Sequence, residues 1–338
     1  MLCCGQCFND RKLHQRIVEL SDSKGTCPTC GAINTKLVEA SRLAEYFDPV
    51  CGIYTPNVSG KVLVDWLIDD WQAFALDRAN ANLLLIEILD DGERTREAMV
   101  PSSRCLTKRL QDWEQFRDEL RYRNRFFPET EIELERLEDL FASIIAIDED
   151  IPASWSRARI SQDGKVFTQK KMGAPPQDRT THGRANPAGI PYLYLASTVQ
   201  TAVSEVRPHP GETVCVAEFK LKRGAKIKLL DLRNPRALVS PFLLGDESAI
   251  ALLRGDVEFL ERIGSELTTP VLPTAAAIEY IPSQYMCEFI KKCKYSGVLY
   301  TSSVTEGVNL ALFDPALATV GKVKRHRIDS MSFETSEL

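Results

Sequence analysis

The sequence predicts an α+β protein of two domains, a mainly helical N-terminal domain pinned by a cysteine cluster and a mixed α/β domain after it. Three observations predict this. Two CxxC pairs stand within the first thirty residues, apolar residues recur at helical spacing up to residue 147, and short strand-like runs interrupted by helical segments begin at residue 153. The length, 338 residues, exceeds that of a typical single domain.

In chain order, the first element is the cysteine cluster. Cys4 and Cys7 form one CxxC, and Cys27 and Cys30 form another inside GTCPTCG, whose turn formers let both sulfurs face one point. Two such knuckles separated by nineteen residues match a four-thiolate zinc site. Closed coordination leaves no position for water, so the expected zinc is structural and catalysis is not expected to depend on it. Cys3 and His14 are nearby groups able to replace a ligand, while Cys51, Cys105, Cys215, Cys287 and Cys293 are scattered and read as core thiols.

The stretch KLVEASRLAEYF places Leu37, Ala40, Leu43 and Tyr46 on one helical face. KVLVDWLIDDWQAFAL does the same with Leu63, Trp66 or Leu67, and Phe74, and Asp112 to Phe127 repeats the pattern through Trp113, Phe116 and Leu120. Pro128 breaks the chain. Thr130 and Glu133 then read as a capping box opening a helix that carries Leu137, Leu140, Phe141, Ile144 and Ile145. Residues 1–147 are therefore expected to form the helical domain, with a linker at Asp148-Glu149-Asp150-Ile151-Pro152.

Beyond it, PYLYLA, TVCVAEFKL, AKIKLLDL, GVLYTS and VNLALF read as strands, with helices near 198–206, 248–263 and 283–294. Residues 153–316 form the expected second domain and 317–338, ending DSMSFETSEL, a polar tail.

Composition narrows the function classes. With 44% hydrophobic and 26% charged residues the chain has material for a core. No apolar run is long enough for a membrane span or a signal peptide, so a cytoplasmic, reducing location is expected and the ten cysteines do not read as a disulfide framework. Residues 1–150 carry 18 Lys and Arg against 28 Asp and Glu, a net −10, and the remainder carries 24 against 19, a net +5. The second half is the better host for an anionic ligand, but its charge is too weak for duplex nucleic acid. Neither GxGxxG nor GxxxxGK[ST] occurs, which removes Rossmann and P-loop chemistry.

The cationic half holds a candidate cleft. In SWSRARISQDG, Arg157 and Arg159 alternate along a strand, and a guanidinium fork binds two oxygens of a pyrophosphate at once. Lys165, Lys170, Lys171, Arg179 and Arg184 continue the basic run. Arg184 and Asn186 fall in a loop bent by Pro187 and Gly189, where backbone approaches a ligand closely. Glu205 ends a short helical segment beside Arg207, Ser302 and Asn309 stand at strand termini, and His182 and His209 flank the cleft.

The segments SRAR, GRANPAGIPYLYLAS, TAVSEVR, IPSQYMCEFIK and LYTSSVTEGVNLALF, in that order over roughly 153–316, resemble the RES domain family, named for its Arg, Glu and Ser. The N-terminal third resembles the cysteine-bearing helical domain of HEPN type that precedes RES in longer members. The resemblance implies an ADP-ribosyltransferase-like fold and an NAD-consuming enzyme, often the toxin of a toxin–antitoxin pair. It implies catalytic roles for Arg157, Tyr194, Glu205 and Ser302, with Arg159 and Ser303 as the neighbouring registers and Thr301 where the family usually has proline. Arg159, Arg184, Asn186 and Asn309 are the expected NAD-binding residues. An antitoxin or immunity protein is the implied partner, and a homodimer the implied assembly. The acceptor stays open among water, phosphate and a macromolecule.

Two other readings address the same residues. Some HEPN domains cut RNA with an Arg placed four to six residues before a His, but His14 has no such Arg and is the one His in residues 1–150. A zinc-bearing interaction protein that binds nucleotide without turning it over is the non-enzymatic alternative.

Overall fold

A computed structural model describes residues 1–105, 108–161, 164–272 and 274–330, so residues 331–338 of the expected tail lie outside the described residues. Its strands are β1 (Leu2–Cys4), β2 (Ser23–Gly25), β3 (Thr35–Glu39), β4 (Tyr54–Lys61), β5 (Met99–Pro101), β6 (Trp155–Ser161), β7 (Leu193–Ala196), β8 (Thr213–Leu221), β9 (Leu229–Asp231), β10 (Gly297–Thr301), β11 (Val308–Leu312) and β12 (Ala318–Arg327). The helices are α1 (Arg11–Leu20), α2 (Ala44–Cys51), α3 (Leu63–Trp71), α4 (Arg78–Leu89), α5 (Arg109–Tyr122), α6 (Leu134–Phe141), α7 (Gln169–Met172), α8 (Val199–Glu205), α9 (Pro235–Leu238), α10 (Glu247–Thr268), α11 (Ala276–Glu279) and α12 (Ile281–Lys292). The fold is α+β, as expected. Among the described residues no helix is long and apolar enough to cross a membrane.

The chain forms two compact units, and both are discontinuous: Met1–Trp113 with Asn234–Glu261, and Glu114–Arg233 with the chain from Arg262 onward. The division does not fall at 148–152. Instead, Asp148–Asp150 is a short 3₁₀ turn whose Asp150 carbonyl accepts from Arg233 Nη1 at 3.4 Å, just after Ile145 bridges to Leu230 of β9. Residues 234–261, expected in the second domain, belong to the first unit.

In the first unit, helical spacing misled the reading of KLVEASRLAEYF. Residues 35–39 are a strand, because Leu37 and Val38 pair with Cys4 and Cys3 in a ladder with β1, and the helix begins only at Ala44. Pairing to an available edge overrides a local 3.6-residue period. The same unit holds the unforeseen β4–β5 pair.

Its buried polar centre is Asp70, 5% exposed. Asp70 accepts from Arg254 Nε at 2.6 Å, Arg254 Nη2 at 3.0 Å and the Tyr54 hydroxyl at 2.9 Å, with Arg236 Nη1 at 3.6 Å. Burial, reinforced by the Asp70 charge, raises the Tyr54 hydroxyl well above its ordinary range and keeps it a donor. Asp70→Ala would take the shared acceptor from two half-buried guanidinium groups, each of which keeps a second carboxylate, Glu258 for Arg254 and Glu261 for Arg236. Because both cations keep a carboxylate, the cost is that of losing charged hydrogen bonds, about 1.5–3 kcal/mol. A lowered denaturation midpoint of that size is the expected result, and an unchanged midpoint would contradict it.

In the second unit the expected capping box does not form. Glu133 occupies the N-cap of α6 without a side-chain cap bond, and the Glu129 and Thr130 N–H groups donate instead to the Glu119 carboxylate at 2.6 and 2.9 Å.

This unit is built on a seven-stranded mixed sheet in the order β12-β8-β6-β7-β11-β10-β9. Strand alternation gives it two faces. Trp155, Leu193, Leu195, Cys215, Phe219, Leu299 and Leu310 bury one face, while Ala158, Ala196, Val214 and Val216 pack with Ala202 of α8 on the other. β12 pairs with β8 along its length, so the chain expected as tail from residue 317 supplies an edge strand. The feature that matters most for the site is a junction. β6 pairs with β8 along seven residues but with β7 only at Ser156–Ala196, so the sheet opens between β6 and β7.

Candidate active site

A cavity of about 430 Å³ lies beside that opening, within the range of small-molecule sites. Arg157, Arg184, Tyr194, Glu205, Tyr300 and Asn309 all line it.

Arg157 starts on the same face of β6 as Trp155. Because β7 diverges beside it, its guanidinium occupies the opening and donates Nη1 to the Tyr194 carbonyl at 2.9 Å. Among the described residues its buried Nε has no hydrogen-bond partner, and no carboxylate pairs with the guanidinium. Burial, with the like charge of Arg159 behind it, pushes the Arg157 guanidinium down to about 10. A desolvated cation without a counterion is a receptor for an anion. Arg159 departs from it. Its guanidinium bonds to the Lys171 carbonyl and lies 5.0 Å from the centre of the Phe167 ring, and it does not line the cavity.

Glu205 sits at the last turn of α8, a helix capped by the Thr198 hydroxyl accepting from the Thr201 N–H at 3.0 Å. Its Oε1 receives both the Ser302 hydroxyl at 2.8 Å and Asn309 Nδ2 at 2.6 Å. The loop that delivers Ser302 is fixed at both ends. The Ser302 N–H donates to the Gly307 carbonyl at 3.0 Å, and the Thr201 hydroxyl donates to the Glu306 carbonyl at 2.9 Å. Gly307, at φ 132°, adopts a conformation closed to other residues, and a Cβ there would meet Thr201 Oγ1 at 2.3 Å. Ser303 lines the cavity, whereas Ser302 is the serine that touches Glu205.

Tyr194 and the 183–187 loop support each other. The Tyr194 hydroxyl accepts from the Ala185 N–H at 2.9 Å and donates to Asn186 Oδ1 at 2.8 Å. Asn186 Nδ2 donates to the Thr181 and Pro187 carbonyls at 3.1 and 2.9 Å. Asn186 is thus buried, with both amide hydrogens and its side-chain oxygen engaged, a brace for the loop that does not itself line the cavity. Glycine is required at 183, where a Cβ would stand 2.7 Å from the Tyr194 hydroxyl. Tyr194→Phe would strand the buried Ala185 N–H and Asn186 carbonyl. A loss of about 1–3 kcal/mol of stability is expected, read by urea unfolding. A variant as stable as the parent would show that the brace is dispensable.

Arg184 does line the cavity, with Nη1 on the Thr269 carbonyl at 2.5 Å and its guanidinium 5.2 Å from the centre of the Tyr280 ring. Sequence reasoning missed what holds it. At the start of α12, Ser283 donates to the Arg184 carbonyl at 2.5 Å and Gln284 to the Gly183 carbonyl at 2.8 Å. It also missed Tyr280 and Tyr300 as lining residues. Tyr300 was legible, near the end of β10 and two residues before Ser302, but no local pattern points to Tyr280. Arg207 lines the cavity in a left-handed conformation, φ 48°, immediately before Pro208. His182 and His209 are exposed and do not line it.

The four expected metal ligands converge in the first unit. The sulfurs of Cys4, Cys7, Cys27 and Cys30 all lie within 4.8 Å of one another, with Cys4–Cys30 at 3.6 Å and Cys7–Cys27 at 3.7 Å. Sulfurs 2.3 Å from a tetrahedral zinc lie about 3.8 Å apart, so the donor set fits a metal of that kind. Cys3 is buried but outside the cluster, and His14 packs its ring against Gly5.

The family model for the RES domain matches residues 155–333, from the start of β6 to beyond β12. Among curated proteins there is no match. Among solved structures, the chain is similar to a chain of the M. tuberculosis MbcT–MbcA toxin–antitoxin complex, at 15% identity and a TM-score of 0.33, over 57% of this chain and 93% of that one.

Proposed function

Because this chain belongs to the RES domain family, a family of NAD-processing enzymes, we propose that the cavity binds NAD and breaks the bond between nicotinamide and ribose. The observation that carries the reading is the shared cavity: an uncompensated guanidinium, Arg157, and a carboxylate held in place, Glu205, both face it.

Nicotinamide leaves NAD as a neutral base, since the electron pair of the breaking C–N bond cancels the positive charge of the pyridinium. No general acid is required. What the reaction needs is stabilisation of the oxocarbenium-like ribose left behind. Glu205 supplies negative charge there, with Oε1 fixed by Ser302 and Asn309 and Oε2 turned to the ribose. Arg157 takes the pyrophosphate, whose negative charge offsets the cost of its burial, and Arg184 borders the same cavity. Tyr194 shapes the wall and holds the loop that carries Arg184. An oxygen nucleophile then attacks the ribose carbon, water giving a glycohydrolase and phosphate a phosphorylase.

We also assign a zinc ion to Cys4, Cys7, Cys27 and Cys30, where four thiolates would close the coordination sphere and make it a structural site. In the cell the activity fits a toxin or defence effector restrained by an antitoxin or immunity protein.

The test is to incubate the purified full chain with NAD and follow nicotinamide release, with and without phosphate. Release, with ADP-ribose or its 1-phosphate as coproduct, supports the reading and names the acceptor. NAD binding with no release under any condition would favour a nucleotide-binding interaction protein.

A further inference from the structure

Several polar groups of the cavity are engaged by the protein itself. Glu205 Oε1 holds Ser302 and Asn309, the Tyr194 hydroxyl holds the loop, and Arg184 holds a carbonyl and a ring. Tyr300 is different. It is 5% exposed and lines the cavity, yet its hydroxyl has no hydrogen-bond partner among the described residues. The hydroxyl borders the open cavity with no group among the described residues competing for it, so it is free to bond to a ligand there.

Its position says which part of a ligand. On β10, Tyr300 stands directly across the ladder from Asn309, so the two side chains share one face of the sheet. Asn309 in turn holds the Glu205 carboxylate at 2.6 Å. Burial, with added repulsion from Tyr194 and Glu205, raises the Tyr300 hydroxyl well above its ordinary range, so it stays protonated and acts as a donor. A neutral donor thus stands beside a carboxylate acceptor. The vicinal hydroxyls of a ribose match that pair, one donating to the carboxylate and its neighbour accepting from the phenol.

Resting on the NAD reading above, we propose that Tyr300 is a substrate-binding residue that donates its hydroxyl to a ribose hydroxyl on the nicotinamide side of the dinucleotide.

Tyr300→Phe removes one oxygen and no packing, and that oxygen bonds to nothing in the protein, so the melting temperature should not move. In the full chain, KM for NAD is expected to rise roughly tenfold with kcat within about twofold. The inhibition constant of ADP-ribose, which keeps the ribose but lacks the pyridine ring, should rise by the same factor. An unchanged KM in a variant that still releases nicotinamide would overturn the assignment. A raised KM with unchanged ADP-ribose inhibition would move the hydroxyl to the pyridine ring and overturn it as well. A parent protein that releases no nicotinamide overturns the NAD reading first, and this proposal with it.

Discussion

Glu205→Gln is expected to lower the rate of nicotinamide release by about a thousandfold while leaving KM for NAD within a few-fold. Glutamine keeps the length of the side chain, and its carbonyl can still accept from Ser302 and Asn309, which meet at one oxygen at 2.8 and 2.6 Å. Only the charge is lost. Charge at this point acts on the ribose as it becomes cationic, so its removal raises the barrier without loosening the ground state. Alanine is the harsher change, because it also leaves buried Asn309 without an acceptor. A glutamine variant that turns over NAD at the parental rate would remove Glu205 from the mechanism. One that loses affinity and rate in equal measure would make it a binding residue.

Stripping the metal is expected to have the second large effect. The purified chain should carry one zinc per molecule, and Cys27→Ala should lose the metal together with the cooperative unfolding of the first unit. Structural zinc contributes roughly 10–16 kcal/mol in small zinc-dependent folds, more than most domains hold in reserve. The sulfurs also tie β1 and the turn after it to the 27–30 knuckle, where Thr29 donates to the Leu2 carbonyl at 2.9 Å. Burial raises the Cys4 thiol to about 11, so a metal binding there must displace its proton. Cys293→Ser, at a partly exposed cysteine outside the cluster, is the control and should keep full metal content. A metal-free chain that unfolds at the parental midpoint would contradict the prediction.

Much of this was legible in the residues. CxxC spacing picks out four thiols that do converge, and strand periodicity finds most of the second unit's sheet. The site was legible where chemistry and position coincide, at Arg157, Glu205 and Arg184, which share the cavity. Other parts depend on pairings that no local pattern encodes. Arg157 and Arg159 look equivalent by alternation, and only the divergence of β7 sends one into the cavity and the other to the Lys171 carbonyl. Asn186 reads as a rim amide until its partners, Thr181, Pro187 and Tyr194, are seen to use every polar atom it has. The strand at 35–39 lost its helical disguise to an edge offered by the first residues of the chain.

The order in which the site's parts leave the ribosome has a consequence for the host. Arg157 emerges early in the second unit, but the hydroxyl and amide that steady Glu205 lie far downstream, at Ser302 and Asn309, and the long closing ladder of β12 on β8 comes later still. Pairings between such distant segments form slowly. On the proposed reading, nascent or prematurely terminated chains are therefore harmless to the dinucleotide pool. On that same reading, the cell that makes this protein gains an interval, set by synthesis and folding, in which a restraining partner can arrive before activity begins.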